Sequence, residues 1–483
     1  MAKENFKQFG LSEELLRSLK LLRFEEPSNV QLALIDAMLK KSDVVVQSQT
    51  GSGKTAAYAI PICEMIQWEQ NKPQALICVP TRELALQVQD DIFSIGRFKR
   101  IKIVSLLGKM PFKGQEKELK QKTHIVVGTV GRILDHLEKG TLDCSYIRFL
   151  VVDEADIMFD LGLIEPMSKI LSHLKFQRQT VFCSATMPLQ VQSLIEKHCR
   201  NPIVIHIEEE NRVEDRIEQF KLEVQAANKL SHLKEITIVE NPDSCIIFAN
   251  QKSTVDTIEQ YLISKQYSVR KLHGGLEQPE RISVINDFKS GLFRFLVATD
   301  VAARGLDIDE VALIINYDIP LEGEPYVHRI GRTGRFDKTG KAITLYTPTQ
   351  LRYLRRIELF LDRELQVYPL PTTFQIESAR SEFVSKKKAL LIPKTNKKEY
   401  VNKGILSIKI KAGSKQKIRP TDLVGAISSL ETIIASDIGI IRIYDIFSTV
   451  EILNHKGNMV IEQLQNVAIK GKLRKVTLYN PNE

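Results

Sequence analysis

The chain has 483 residues, 43% of them apolar and 26% charged, with a formal net charge of +9. That length exceeds one ordinary core and implies two to four domains at roughly 100–200 residues each, while the composition excludes a fibrous or disordered chain. No apolar run approaches the ~18 residues of a membrane span, MAKENFKQFG is not a signal peptide, and the cysteines at 63, 78, 144, 183, 199 and 245 form no C-x-x-C pair. The expectation is a cytoplasmic protein with reduced thiols and no membrane association.

In chain order, the first strand is DVVVQ (43–47), followed by SQTGSGKT (48–55) and a helix-period run. QALICVP (74–80), KIVSLLG (102–108), HIVVGT (124–129), FLVVDEAD (149–156) and TVFCSAT (180–186) continue the series. Apolar runs without polar alternation are expected of strands covered on both faces, hence a parallel α/β sheet. The charged HIEEENRVEDR (206–216) reads as a joint. A second set follows from about 217: CIIFANQ (245–251), SVRKLHG (268–274), FRFLVATD (293–300), VALIINYD (311–318) and KAITLYTP (341–348), predicting a second α/β domain. Residues 366–403, rich in Lys, Pro and Ser, read as a basic linker, with KKK (386–388) as a mobile phosphate-attracting segment. Beyond it, alternating and helix-period stretches give the order βαββαβ over 404–483, the pattern of a ferredoxin-like or RRM-like α+β domain. The predicted organisation is therefore 1–207, a joint at 208–216, 217–365, a linker at 366–403, and 404–483.

Charge is concentrated at one end. Residues 380–403 hold eight Lys/Arg against Glu382 and Glu399, and residues 404–483 hold eleven against seven acids. The last 104 residues thus carry +10, leaving the first 379 near neutral at −1. A localised basic tail points to a polyanion, most often nucleic acid.

The stretch Ser48, Gln49, Thr50, Gly51, Ser52, Gly53, Lys54, Thr55 lies between a strand and a helix. Its glycines let successive N–H groups face phosphate oxygens at a helix N-terminus. Lys54 is placed to reach the β/γ-phosphates and Thr55 to hold Mg²⁺. Ser48 stands where the Walker pattern has Gly. The same residues match the dinucleotide pattern G-x-G-x-x-A, but a Lys-Thr pair inside it belongs to a triphosphate site. Three acids in VVDEADIMF (151–159) then acquire a purpose. Asp153, at the carboxyl end of a strand, is placed to hold Mg²⁺, and Glu154 to orient the attacking water. Asp156, further along, suits a coupling role.

These motifs resemble those of the DEAD-box RNA helicases over residues 6–365, in the family's order. PTRELALQ (80–87), TVGR (129–132), DEAD (153–156), SAT (184–186), HGGLEQPER (273–281), ATDVAARGLD (298–307) and HRIGRTGR (328–335) carry the likeness. The resemblance implies two tandem RecA-like P-loop NTPase domains, ATP and Mg²⁺ as cofactors, and hydrolysis of ATP coupled to local unwinding of short RNA duplexes. It implies arginine fingers at Arg332 and Arg335, a ribose contact at Asp307, and couplers at Ser184, Thr186 and His328 together with Asp156. LRFEEPSNVQ (22–31) resembles the Q motif, which assigns adenine to Gln31 with Phe24 placed to stack on the base; Phe6 resembles the family's isolated upstream aromatic and reads also as a core plug. An RNA phosphate track is implied at Pro80, Thr81, Arg82, Gly108, Thr129, Gly131, Arg132, Gln278, Arg281 and Thr299. Four departures stand out: Arg23 for Gly, Ser28 for Thr, Lys109 for Gly and Val130 for Pro.

The tail, KIRPTDLVGAI…SDIGIIRIYDIFSTVEIL…KGKLRKV, resembles the RRM-like module of the DbpA group. That likeness implies a 23S rRNA hairpin in the large-subunit precursor as partner, contacted by Lys470, Lys472 and Arg474 among other basic residues. Tyr444 and Phe447 match RNP-1 loosely and read equally as core. A monomer is expected. Two rival readings are an ATP-gated RNA-binding clamp with little unwinding, and a DNA translocase.

Overall fold

The computed structural model describes residues 5–48, 51–175, 177–207, 216–303, 308, 311–334, 340–388 and 397–480. It separates into two units, one formed by Met1–His206 with Asn396–Glu483, the other by Ile207–Thr395.

Lobe 1 is built on β1 (Val44–Gln47), β2 (Ala75–Val79), β3 (Ile103–Leu106), β4 (Ile125–Thr129), β5 (Phe149–Val152), β6 (Gln179–Ser184) and β7 (Ile203–His206). Their order is β3-β4-β2-β5-β6-β1-β7, and every pairing is parallel. Helices cover both faces, which is why Leu76, Ile77, Val126, Val127, Leu150 and Val151 are all fully buried although they alternate in direction along their strands. β7 escapes the sequence reading. Ile203 and Val204 remain exposed at the sheet's edge, and the four-residue run merges into the charged stretch behind it.

Lobe 2 holds β8 (Ile217–Glu223), β9 (Cys245–Phe248), β10 (Val269–Leu272), β11 (Phe295–Ala298), β12 (Leu313–Asn316), β13 (Gly340–Tyr346) and β14 (Gln366–Val367). The order is β10-β11-β9-β12-β13-β8-β14, again parallel throughout. Numbered within each lobe, the two sheets have the same strand order. The predicted joint 208–216 lies outside the described residues except for Arg216.

The stretch read as a linker from 366 is in large part folded. After β14 comes a helix, Thr373–Lys388. Its Ile376, Ala379 and Phe383, spaced three and four apart, join the lobe 2 core. Lys386, read as part of a mobile run, is half-buried; its Nζ pairs with Asp243 at 2.5 Å and donates to the Asn241 carbonyl at 2.8 Å.

The C-terminal module follows the predicted order, with one hairpin added. β15 (Leu406–Ile410), β16 (Ile438–Ile443), β17 (Ser448–Ile452) and the later β20 (Val476–Leu478) form an antiparallel sheet, ordered β16-β17-β15-β20. The extra hairpin is β18 (Ala468–Ile469) with β19 (Lys472–Leu473). Helices Pro420–Ser428 and Gly457–Leu464 cover one face, where Ile408, Ile410, Val450 and Ile452 meet Leu423, Ile427, Val460 and Leu464. Tyr444 and Phe447 are not core. They stack on each other at 4.4 Å near the end of β16, with Tyr444 exposed.

Candidate active site and nucleic-acid interface

Gly51 and Gly53 adopt φ of 84° and 89°, a region that side chains with a Cβ enter only under strain. They turn the chain into the helix Lys54–Met65, and the first N–H groups of a helix, which lack carbonyl partners within it, make its N-terminus suited to an anion. Lys54 is buried, and its Nζ donates to the Ser48 carbonyl at 2.6 Å. The Ser48 and Ser52 hydroxyls lie 3.0 Å apart, so serine at the first position closes the loop rather than obstructing it. Gln49 and Thr50 lie outside the described residues.

Gln31 lies directly against this loop. Ser28 and Gln31 form a capping box on the helix Asn29–Leu39: Ser28 Oγ accepts from Gln31 N–H, and Gln31 Oε1 accepts from Ser28 N–H. The Ser28 hydroxyl also donates to the Ser52 carbonyl at 3.1 Å, and Gln31 Nε2 reaches the Gly53 carbonyl at 3.5 Å. A Cβ on residue 53 would lie 2.7 Å from Gln31 Nε2 and displace the end of that side chain, so glycine there serves the conformation first and the Gln31 contact second. Ser28 makes its side-chain contacts here through its hydroxyl, the group that serine and threonine share. Phe6 is buried and meets the half-buried Phe24 edge-on at 6.0 Å.

Asp153 follows β5 and is buried. Its Oδ2 accepts from the Tyr58 hydroxyl at 2.9 Å and its Oδ1 from the Glu154 N–H at 3.0 Å. Burial pushes its carboxyl above the usual carboxylate range; the nearby Lys54 ammonium and these two hydrogen bonds oppose that. Tyr58 lies one turn beyond Thr55 on the same helix, so its phenol ties the helix that carries one candidate magnesium ligand to the other, Asp153. Sequence reading missed Tyr58, although its place four residues after Lys54, on the same helix face, was a usable signal. Two hard oxygen donors, with no group of three or more His/Cys/Asp/Glu among the described residues, suit a cation that keeps water and phosphate oxygens around it.

Glu154 caps the helix Ala155–Asp160 with φ of 53°. Asp156 is buried and bound to the SAT segment (184–186). Its Oδ2 accepts from the Ala185 and Thr186 N–H groups at 3.0 and 2.9 Å, its own N–H donates to Ser184 Oγ at 3.1 Å, and that hydroxyl donates to the Thr186 carbonyl at 2.6 Å. Any shift of one segment is therefore felt by the other.

The residues assigned to the phosphate track lie at the carboxyl ends of the other three strands. Pro80, Thr81 and Arg82 follow β2, Gly108 follows β3, and Thr129–Arg132 close β4. Thr81 caps the helix Arg82–Ile95, its Oγ1 accepting from Leu84 N–H. Arg82 packs against Gly108, where a Cβ would stand 3.4 Å from its Nη2. Arg132 Nη1 donates to the Met110 carbonyl and to Gln115 Oε1. Val130 takes the first position of the helix Val130–Glu138, where proline is favoured, and fills the core instead. Lys109, in place of glycine, has φ of 62°. Because the sheet order is β3-β4-β2-β5-β6-β1-β7, the carboxyl edge is divided. Phosphate loop, Asp153 and Ser184 occupy the β5-β6-β1 half, and the track residues the β3-β4-β2 half.

In lobe 2, Gln278 begins the helix Gln278–Lys289 behind β10, and Thr299 follows β11 with its N–H donating to the Leu272 carbonyl. Arg281 reaches the carbonyls of His273 and Ala302. Arg332 is buried, its Nε 3.3 Å from the His328 carbonyl. Asp307 and Arg335 lie outside the described residues. Arg329 is the residue that sequence reading undervalued. It is fully buried and binds Asp300 through two nitrogens, Asn250 at 2.7 Å and the Asp318 carbonyl at 2.6 Å. It thus joins the ATDVAARGLD (298–307) and HRIGRTGR (328–335) segments to the end of the sheet.

In the module, Lys470 donates to the Lys417 carbonyl at 2.5 Å, and Lys472 stands on the exposed β19 with Arg474 just beyond.

Residues 28–194 match the DEAD/DEAH box helicase family, 228–337 the helicase conserved C-terminal domain and 407–478 the DbpA RNA binding domain. The ATP-dependent RNA helicase DbpA of Bacillus subtilis is 46% identical over 476 residues, covering 99% of both chains. The DEAD-box ATP-dependent RNA helicase CshA of Geobacillus kaustophilus is 40% identical over 76% of this chain and 79% of that one. Among solved structures, S. cerevisiae Dbp5 bound to RNA and ADP BeF3 aligns with a TM-score of 0.69 at 29% identity, covering 79% of this chain and 100% of that one.

Proposed function

The chain belongs to the DEAD-box ATP-dependent RNA helicases, in the DbpA group, and from that premise we propose that its substrate is a 23S rRNA hairpin region in the precursor of the large ribosomal subunit. The carrying observation is the divided carboxyl edge of lobe 1, nucleotide residues on one half and phosphate-track residues on the other, in a chain that ends in a basic RNA-binding module.

The roles follow from the chemistry of each residue. The N–H groups of 51–55 and the Lys54 ammonium hold the β- and γ-phosphates of ATP. Gln31, fixed by Ser28, reads the adenine edge, with Phe24 and Phe6 providing the apolar wall. Thr55 and Asp153 hold Mg²⁺, which when bound neutralises charge on the transferred phosphoryl group. Tyr58 keeps both ligands oriented. Glu154 positions the attacking water, and Arg332 and Arg335 stabilise the phosphoryl charge during turnover. The Asp156–Ser184–Thr186 hydrogen bonds, with His328, link nucleotide state to RNA grip. Track residues contact phosphates and carry no base sequence, so preference among RNAs falls to the module through Lys470, Lys472 and Arg474. The protein acts as a cytoplasmic monomer.

The test is ATPase stimulation by a 23S rRNA hairpin fragment against unrelated RNA of equal length. The full chain is expected to favour the fragment at least about tenfold in kcat/KM, and a Lys470→Ala/Lys472→Ala/Arg474→Ala variant to lose most of that preference while keeping its turnover at saturating RNA. Equal stimulation by both RNAs in the unaltered protein would defeat the 23S reading.

A further inference from the structure

The module is bound to lobe 1 by a pair of buried charges. Arg97, just past the helix Arg82–Ile95, places Nη1 2.6 Å from Glu451 Oε2 on β17, and the two side chains are 5% and 8% exposed. Arg97 Nε donates to Asn402 at 2.9 Å, and Glu451 also accepts from the Ile440 N–H at 3.1 Å. Taking two such charges out of water costs several kcal/mol per ion; without Glu451 the Arg97 charge loses its carboxylate, and without Arg97 the Glu451 carboxylate keeps only the more distant Arg442, at 3.9 Å. A buried pair of this kind belongs to a seat that is held rather than to a passing encounter. The exposed Lys117–Asp445 pair at the rim, 3.3 Å apart, adds little.

Two further features fit the same seat. β16 is an edge strand, and lobe 1 side chains occupy carbonyls on it and just before it: Arg100 Nη1 donates to Ile438 at 3.2 Å and to Ala435, in the short 3-10 turn ahead of the strand, at 3.1 Å, and Gln121 Nε2 donates to Ile443 at 3.2 Å. Arg23, the departure from glycine in the Q motif, has φ of 61°, a conformation costly for arginine, yet its guanidinium lies over the Tyr400 ring at 5.1 Å. The position that glycine would fill more easily holds a side chain that reaches the C-terminal segment.

The location has a consequence for RNA. Arg100 and Gln121 precede β3 and β4, whereas Gly108 and Thr129 of the track lie at their far ends, so the two sets are separated by at least the length of the strands, about 15 Å at roughly 3.3 Å per residue. We propose that the module operates while seated on lobe 1, so that RNA captured by its basic surface is presented to the lobe 1 phosphate track at a fixed spacing. This rests on the reading of the module as the selective RNA binder. A free tether would instead offer RNA over a broad range of distances, with weak dependence on spacing.

The experiment uses the full chain carrying dyes at positions 165 and 462, with Arg97→Glu, Glu451→Arg and the double exchange. Energy transfer should be high and single-valued in the unaltered protein, with and without RNA, broad and lower in each single variant, and restored in the double exchange. In parallel, hairpin RNAs with single-stranded arms of graded length should show a sharp optimum in kcat/KM, at least about tenfold above the shortest and longest arms. Arg97→Glu should flatten that optimum and the double exchange should recover it. Transfer that falls when RNA binds the unaltered protein, or an absent arm-length optimum with transfer intact, would overturn the proposal. Equal stimulation by hairpin-free RNA, with transfer and arm-length optimum unchanged, would remove the specificity reading above and still support the seat.

Discussion

Lobes 1 and 2 share one strand order but treat the same lysine and carboxylate differently. Lys54 opens the helix after β1, and Asp153 follows β5; at the equivalent places in lobe 2, Lys229 opens the helix after β8, and Asp318 follows β12. The backbone repeats as well: Asp153 N–H donates to Cys78 on β2, and Asp318 N–H to Phe248 on β9. Yet Lys229 donates to the Tyr317 carbonyl at 2.8 Å and pairs with Asp318 at 3.2 Å, closing the site on itself. The strand-to-helix turn of lobe 2, VQAANK (224–229), has no glycine; that of lobe 1 has two in the left-handed region. On the proposed reading, the glycine turn leaves the lobe 1 lysine and carboxylate available to a ligand, whereas the lobe 2 pair is a structural ion pair.

Three substitutions sharpen that contrast. The largest effect is expected for Lys54→Ala, which should lower RNA-stimulated phosphate release by at least about 10³-fold with little change in melting temperature. Lys229→Met should do the reverse, costing roughly 2–4 kcal/mol of stability in denaturant titration by stranding Asp318, with kcat within about threefold of the unaltered protein. If Lys229→Met abolished turnover in folded protein, the division between ligand site and structural pair would be wrong. The smallest effect is expected for Tyr58→Phe. Its hydroxyl holds the Asp153 carboxyl down against burial, so removing it lets that carboxyl rise further. The acid limb of kcat/KM should therefore move to higher pH, with kcat at the alkaline plateau falling only severalfold. An acid limb that stays in place would mean that Asp153 does not govern it.

Much of the site was legible because it is local. Gly51, Gly53 and Lys54 declare their geometry within four residues, and uninterrupted apolar runs such as ALICV and FLVV announce buried strands. What escaped was decided at a distance. β7 and β14 are short edge strands with exposed side chains, so their pattern is weak. The helix Thr373–Lys388 hides in linker-like composition because its apolar packing on lobe 2 comes from just Ile376, Ala379 and Phe383 among its described residues. Arg97 and Glu451, 354 residues apart, carry no local mark of the pair they form.

The central claim is that lobe 1 divides its carboxyl edge into a nucleotide half and an RNA half. The most direct measurement pairs ADP affinity without RNA and the KM for single-stranded RNA across Lys54→Ala and Arg132→Ala. Lys54→Ala should weaken ADP about tenfold or more, while Arg132→Ala should leave ADP within about twofold and raise the KM for RNA about tenfold. An Arg132→Ala protein that lost ADP and RNA to the same degree would contradict the division.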